Sequence, residues 1–321
     1  MADERLPEEE WHSVTRLDVI WDDYRADSLK LGARLKRGSG VRRKVTPTTP
    51  IPRNWHEFLR NDENKKELFN MLSEKLVKRE VDLEIIATNG NRVLSNATQK
   101  KFHNLQPCTH EEADTRIFLH AKDASQAGLK SIVIRTVDLD VVVLSTANFH
   151  KLDLDYLWIL FGTGKNVEFI PIHILARELG ISKSASLPFF HALTGCDNTS
   201  SFAGYGKKSA WQTFIRNPEF TCTFQELSEM PEDPSNCIER VDKFVVLMYD
   251  KSSSQTSVDA ARKELFTKKK RFFDRLPPTR AALHQHILRS AYLYSRLLLG
   301  SVLGPRANSS GPPIVGLEEN I

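Results

Sequence analysis

Cysteine is scarce. Cys108, Cys196, Cys222 and Cys237 are the only four in 321 residues, and no two stand in a C-x-x-C pair. A cysteine zinc site is therefore not expected, and a reduced intracellular setting is, nuclear or cytoplasmic rather than secreted. Long apolar runs are absent as well, and the opening MADERLPEEE does not have the order of a signal peptide. No membrane partner is expected. Nor is there an internal repeat. Net charge is only +4, but the bases are bunched: residues 25–44 hold eight Lys/Arg against the single acid Asp27, and Lys268-Lys269-Lys270-Arg271 forms a second cluster. Bunched bases suit a polyanionic partner, and equally a plain solvated face.

What the chain does have is 40% hydrophobic residues, enough for one sizeable core or two small domains. Residues 1–15 are acidic and polar and read as a disordered tail. Residues 17–21 (LDVIW) predict a short buried strand ending in Asp22-Asp23, followed by a basic helical segment over 28–38. Pro47, Pro50 and Pro52 make residues 39–53 a linker. Helical spacing covers 55–77, and residues 81–88 predict a second strand that turns at Asn89-Gly90.

Further strands are expected at 131–136, 156–161 and 167–172, with strand character extending over 141–145. Short helices are expected at 173–179 and 187–193. Alternation of this kind over residues 16–180 predicts an α/β fold with a mostly parallel sheet. Beyond residue 185 the spacing is helical throughout, over 238–249, 258–266 and 280–299. The expected organisation is a core at 16–185 with a basic insertion at about 38–80, a helical region at 186–300, and a loose tail at 301–321.

The stretch from Thr109 to Asp140 carries two acidic pairs, Glu112 with Asp114 and Asp138 with Asp140. A helical pattern lies between them and stops at Gly128, and a strand follows. Strand ends at the mouth of an α/β sheet are where such folds place their chemistry. In extended chain, Asp138 and Asp140 point the same way and converge on one hard cation. A bland reading stands beside this one. Thr109 and Glu112 fit a capping box, acids suit a first helical turn, and Asp138 and Asp140 suit a turn.

FGTGKN at 161–166 lacks the first glycine and the Ser/Thr of a phosphate-binding Walker loop, so it reads as a strand turn. Gly204-Tyr205-Gly206-Lys207-Lys208 has the form of a hairpin between helices, able to approach a phosphate, or of an ordinary helix start.

Four segments in order resemble the flap endonuclease and XPG-type structure-specific 5′ nucleases of PIN-like fold, and in particular a multi-copy invertebrate group of such proteins. They are VIWDDY with SLKLGARLKR, then EEADTRIF, TVDLDVVVL, and LTGCDNTSSFAGYGKKSAW. The resemblance covers residues 16–215. It implies six metal-holding carboxylates (Asp22, Glu112, Asp114, Asp138, Asp140 and Asp197) around two Mg²⁺ or Mn²⁺ ions, and Lys30 and Arg37 on the scissile phosphate. Arg42, Arg43 and Lys44 would sit in an arch over single-stranded DNA. Gly204, Gly206, Lys207 and Lys208 would grip duplex phosphates in a helix-two-turn-helix, with a monovalent cation at the hairpin.

Three departures from the family pattern matter. Asp114 replaces a glutamate. On a regular helix Glu111, not Glu112, shares a face with Asp114, so Glu111 remains a candidate. Nothing before Leu17 resembles the family's opening strand with its further Asp. The expected function is metal-dependent cleavage of flapped or branched DNA, weakened by that missing strand, whose absence would also leave an edge through which the chain associates. The alternative is a nucleic-acid-binding or protein-interaction module on the same fold that cuts weakly or not at all.

Overall fold

The computed structural model describes residues 14–24, 38, 40–97, 102–108, 110–229, 234–267 and 275–303, the last ten as backbone only. The first strand, β1 (Arg16–Val19), runs parallel to β2 (Glu84–Asn89), with Leu17 opposite Ile85. At Gly90, whose φ is +56°, the chain reverses and returns as β3 (Arg92–Ser95), antiparallel to β2. So short a connection cannot make a parallel crossover. The plan repeats with β4 (Ser131–Thr136), β5 (Tyr156–Thr163) and β6 (Asn166–Pro171): β4 and β5 are parallel, and β6 folds back on β5.

The α/β class holds, but the mostly parallel single sheet is corrected to two three-stranded mixed sheets, β1-β2-β3 and β4-β5-β6. The tight turns at Gly90 and at Gly164 within FGTGKN impose the antiparallel pairs. In the first sheet β1 is an edge among the described residues. The residues before Val14, on which the expectation of a missing strand rests, lie outside them, as does the basic segment at 28–37.

Ten helices lie among the described residues. The helical spacing over 55–77 is divided between two helices, α1 (Trp55–Leu59) and α2 (Asp62–Leu76), because the Asn61 side chain accepts the Asn64 N–H at 3.2 Å and starts a new helix. Next comes α3 (Ala113–Gln126). It stops as expected at Gly128 (φ +95°), where the N–H groups of Gly128 and Leu129 return to the carbonyls of Ser125 and Ala124. Residues 141–145, expected to be extended, belong to α4 (Leu139–Asn148), with Val141 and Leu144 buried at helical spacing. The short helices expected at 173–179 and 187–193 fall in the two halves of α5 (Ile172–Leu193), which are separated by a break at Gly180, whose φ of +76° is not helical. The rest is helical as expected: α6 (Lys207–Arg216), α7 (Phe220–Glu229), α8 (Ser235–Tyr249), α9 (Val258–Thr267) and α10 (Arg280–Leu303). No helix among the described residues is long and apolar enough to cross a membrane.

Helix α3 contributes to two cores. Phe118 packs with Ile134, Leu144 and Ile159 around the second sheet, while the neighbouring Leu119 packs with Ile86, Val93 and Leu105 at the first. A polar stripe accompanies them. The Arg116 guanidinium, 1% exposed, donates to the carbonyls of Gly90 and Arg92 in the β2–β3 turn. His120 Nδ1 lies 2.6 Å from Asp18 on β1, and Arg16 spans Asp18 at 2.7 Å and Asp123 at 2.8 Å.

A third core, built from α5 to α10, is rich in aromatics. The Phe224 ring meets Phe189 at 5.1 Å, Phe214 at 5.2 Å and Phe244 at 4.9 Å. At its margin the α8 carboxylate of Asp242, 2% exposed, faces Arg280 Nε at 3.3 Å. Burial pushes the Asp242 carboxyl up to about 6; Asp259 and Glu239 add to the rise, and Arg280 and His284 oppose it. An acid whose pKa is raised on folding binds its proton more tightly in the native state. Its contribution to stability is therefore largest in acid and declines as pH rises through about 6. Asp242→Asn should match the parent's stability near pH 3.5 and exceed it at pH 7.5 by up to roughly 3 kcal/mol, with about half of that gain already present at pH 5. Paired thermal melts across that range check this, and parallel curves for the two proteins would refute it.

Candidate functional site

Trp21, just past β1, fixes where the first acid falls. Its ring stacks on Phe69 at 4.4 Å, its indole N–H donates to Ser73 Oγ at 3.0 Å, and its backbone N–H donates to Thr88 Oγ1 at 2.9 Å. Asp22 is thereby carried to the start of α3. There its Oδ1 accepts the Ala113 N–H at 2.9 Å, and its Oδ2 accepts the Tyr24 hydroxyl at 3.2 Å. Glu112 is the N-cap residue of α3, but its side chain makes no capping bond, and Asp114 lies in the first turn. A distant carboxylate thus supplies the anion that a helix start attracts. Thr109, half of the expected capping box, lies outside the described residues, and the N-cap position falls at Glu112. Glu111, the other candidate, accepts the Asp23 N–H through its carbonyl at 2.7 Å.

The second acidic pair also sits at a helix start. Asp138 caps α4, its Oδ1 accepting the Asp140 N–H at 2.8 Å, and Asp140 lies in the first turn. The extended geometry expected for this pair is therefore corrected: the cap bends the chain into helix between them. Because the chain reverses at Gly128 and Phe118 packs on Ile134, the starts of α3 and α4 lie at the same end of the molecule.

One residue that sequence reasoning missed meets Asp140. His191, near the end of α5, brings Nε2 to 2.9 Å from Asp140 Oδ1, with the imidazole 7% exposed. Lys207, the first residue of α6, donates through Nζ to the His191 carbonyl at 2.8 Å and to Thr194 Oγ1 at 3.1 Å. Burial pushes the Lys207 amine down, while Cys196 and Asp140 pull it up. His191 carries no signal in the sequence beyond its place on a helix. Lys207 was expected to face DNA phosphates, and instead its ammonium is held by the protein.

Between α5 and α6 the chain makes two tight turns, closed by the bridges Cys196–Thr199 and Phe202–Tyr205. Gly195 (φ +102°) is required in the first, because a Cβ there would stand 2.8 Å from Ser201 Cβ. Asp197, Gly204, Gly206 and Lys208 are exposed on these turns and the helix start that follows. Ahead of α1, Arg42 pairs with Glu67 and donates to Asn64 on α2, and Arg43 and Lys44 are exposed. The Arg42 hydrogen bond, with the Val45 N–H, holds the Glu67 carboxyl below its usual range. Lys30 and Arg37 lie outside the described residues.

Six carboxylates are suitable donors for Mg²⁺ or Mn²⁺ by chemistry. By placement they do not fit two ions. Among the described residues no three His, Cys, Asp or Glu side chains group where one ion could be held. Both oxygens of Asp22, one of Asp138 and one of Asp140 take protein hydrogen bonds instead.

If Asp138 serves as a helix cap, Asp138→Asn should keep the melting temperature near the parent's, while Asp138→Ala should lose about 1 kcal/mol. Chemical denaturation of the two variants decides, and equal losses would count against the capping role.

Comparison with known proteins finds no matching family model, no matching curated protein and no matching solved structure.

Proposed function

We propose that this chain binds nucleic acid through the two turns between α5 and α6, with exposed bases there and ahead of α1, without depending on a divalent metal. The observation that carries the metal-independent part is that Asp140 is engaged by protein: His191 Nε2 lies 2.9 Å from its Oδ1. Phosphates would be met by exposed Lys208 at the start of α6, by backbone N–H groups near Gly204 and Gly206, and by exposed Arg43 and Lys44. The resemblance to structure-specific nucleases supports flapped or branched DNA as the partner.

A second reading is metal-dependent cleavage of such DNA. One observation favours it: the acids at the starts of α3 and α4 share one end of the molecule. It requires the side chains to regroup from the positions they hold here.

Fluorescence anisotropy with flap, hairpin and duplex DNA, in EDTA and in Mn²⁺, tests the proposal. Binding should be similar in both, and Lys208→Glu should weaken it several-fold and flatten its dependence on salt by about one unit of slope. Binding unaffected by Lys208→Glu, or by the double change with Lys44→Glu, would sink the proposed surface. Cutting of the labelled flap in Mn²⁺ that Asp140→Ala abolishes, with DNA affinity kept, would instead establish the second reading.

A further inference from the structure

We infer that the buried Asp18–His120 pair is an acid-sensitive latch, in which protonation of the His120 imidazole releases β1, and with it Trp21 and Asp22, while the aromatic core of α5 to α10 stays closed.

The position of the ring proton follows from the partners. Arg16 binds both oxygens of Asp18, through Nε at 2.7 Å from Oδ2 and Nη2 at 2.9 Å from Oδ1, so the carboxylate is held ionised and only accepts. At 2.6 Å from Oδ1, His120 Nδ1 must therefore carry the hydrogen. Nε2 of the neutral ring is then an acceptor, and it is buried with no protein partner. A second proton would go to Nε2, leaving a buried charged N–H with no protein group to accept it. Arg16 and Arg116 oppose a positive charge on the ring and Asp18 favours one. Burial, at 2% exposure, decides the matter and holds the imidazole below its ordinary value. Helix α10 also packs on α3, but Arg280 and His284 act on Asp242, and Arg289 acts on His286, whose Nε2 meets the Leu193 carbonyl.

A base whose pKa is lowered on folding binds its proton more tightly once released. The latch is therefore firm above about pH 6.5 and loosens below it, by about tenfold in the opening equilibrium per pH unit. Asp18, held below its usual range, adds to this only below about pH 4. The element set to move is β1, a four-residue edge with one strand partner among the described residues, tied to α3 through His120 and Asp123.

Hydrogen–deuterium exchange of the full chain between about pH 7.5 and 5, read by mass spectrometry and corrected for intrinsic exchange, tests this. Protection of peptides spanning β1 and β2 should fall about tenfold per unit below pH 6.5, while that of α7 and α8 does not fall. In His120→Asn an amide can keep a donor on Asp18 without titrating, and protection of β1 should be flat over the range. Protection of β1 that is constant in the parent, or that falls equally in His120→Asn, would overturn the latch. So would an equal loss in α7 and α8, which marks global unfolding. Should the variant not fold, NMR titration of the parent's histidine rings decides. A His120 that gains its proton only as β1 loses protection supports the latch, and one that protonates near pH 6.5 with β1 still protected overturns it.

Discussion

Arg16 and Asp18 on β1 meet His120 and Asp123 on α3, and the placement of both sheets follows from that meeting. Charges at such depth are tolerable only when each finds a partner, since loss of one leaves another buried and uncompensated. Burial opposes ionisation of Asp18, yet the hydrogen bonds from His120 and Arg16 outweigh it and hold the carboxyl below its usual range. A four-residue strand with one strand partner among the described residues gains little from its own ladder. The ionic stripe is what orients β1, and with it Trp21 and Asp22, toward the start of α3. Arg116, one turn before His120, secures the β2–β3 hairpin from the same helix.

The consequence is that α3 separates two small sheets instead of lying on one large one. Phe118 and Leu119 are adjacent in sequence yet serve different cores, because successive residues on a helix diverge by about 100°. An apolar α3 could have slid or rotated against either sheet. The polar stripe sets its rotation, and so determines which end of the molecule collects the acids.

At that end the acids are used as helix-terminal groups. Asp22 and Asp138 each satisfy an amide of an opening helix turn, the cheapest role for a carboxylate near an N-terminus. Asp140 is different: it faces a histidine and lies near a lysine drawn from the far side of the two-turn segment.

Much of the local structure was legible in the residues. Gly128 ended α3, Asn89-Gly90 and the glycines around Thr163 turned strands, and apolar spacing marked the helices after residue 185, because caps, tight turns and amphipathic faces depend on neighbours a few positions apart. The run Val141-Val142-Val143-Leu144 misled because β-branched residues suit a strand, while the cap at Asp138 and burial on α5 favoured helix. The acids too were visible as acids, but not their company. His120 is 102 residues from Asp18, and His191 is 51 from Asp140, distances over which no periodicity carries information. By itself the sequence determined where helices start, where hairpins turn and which residues can carry charge. Only the tertiary structure decided which charges meet, because that depends on how α3 is rotated between its sheets and where the turns after α5 deliver Lys207.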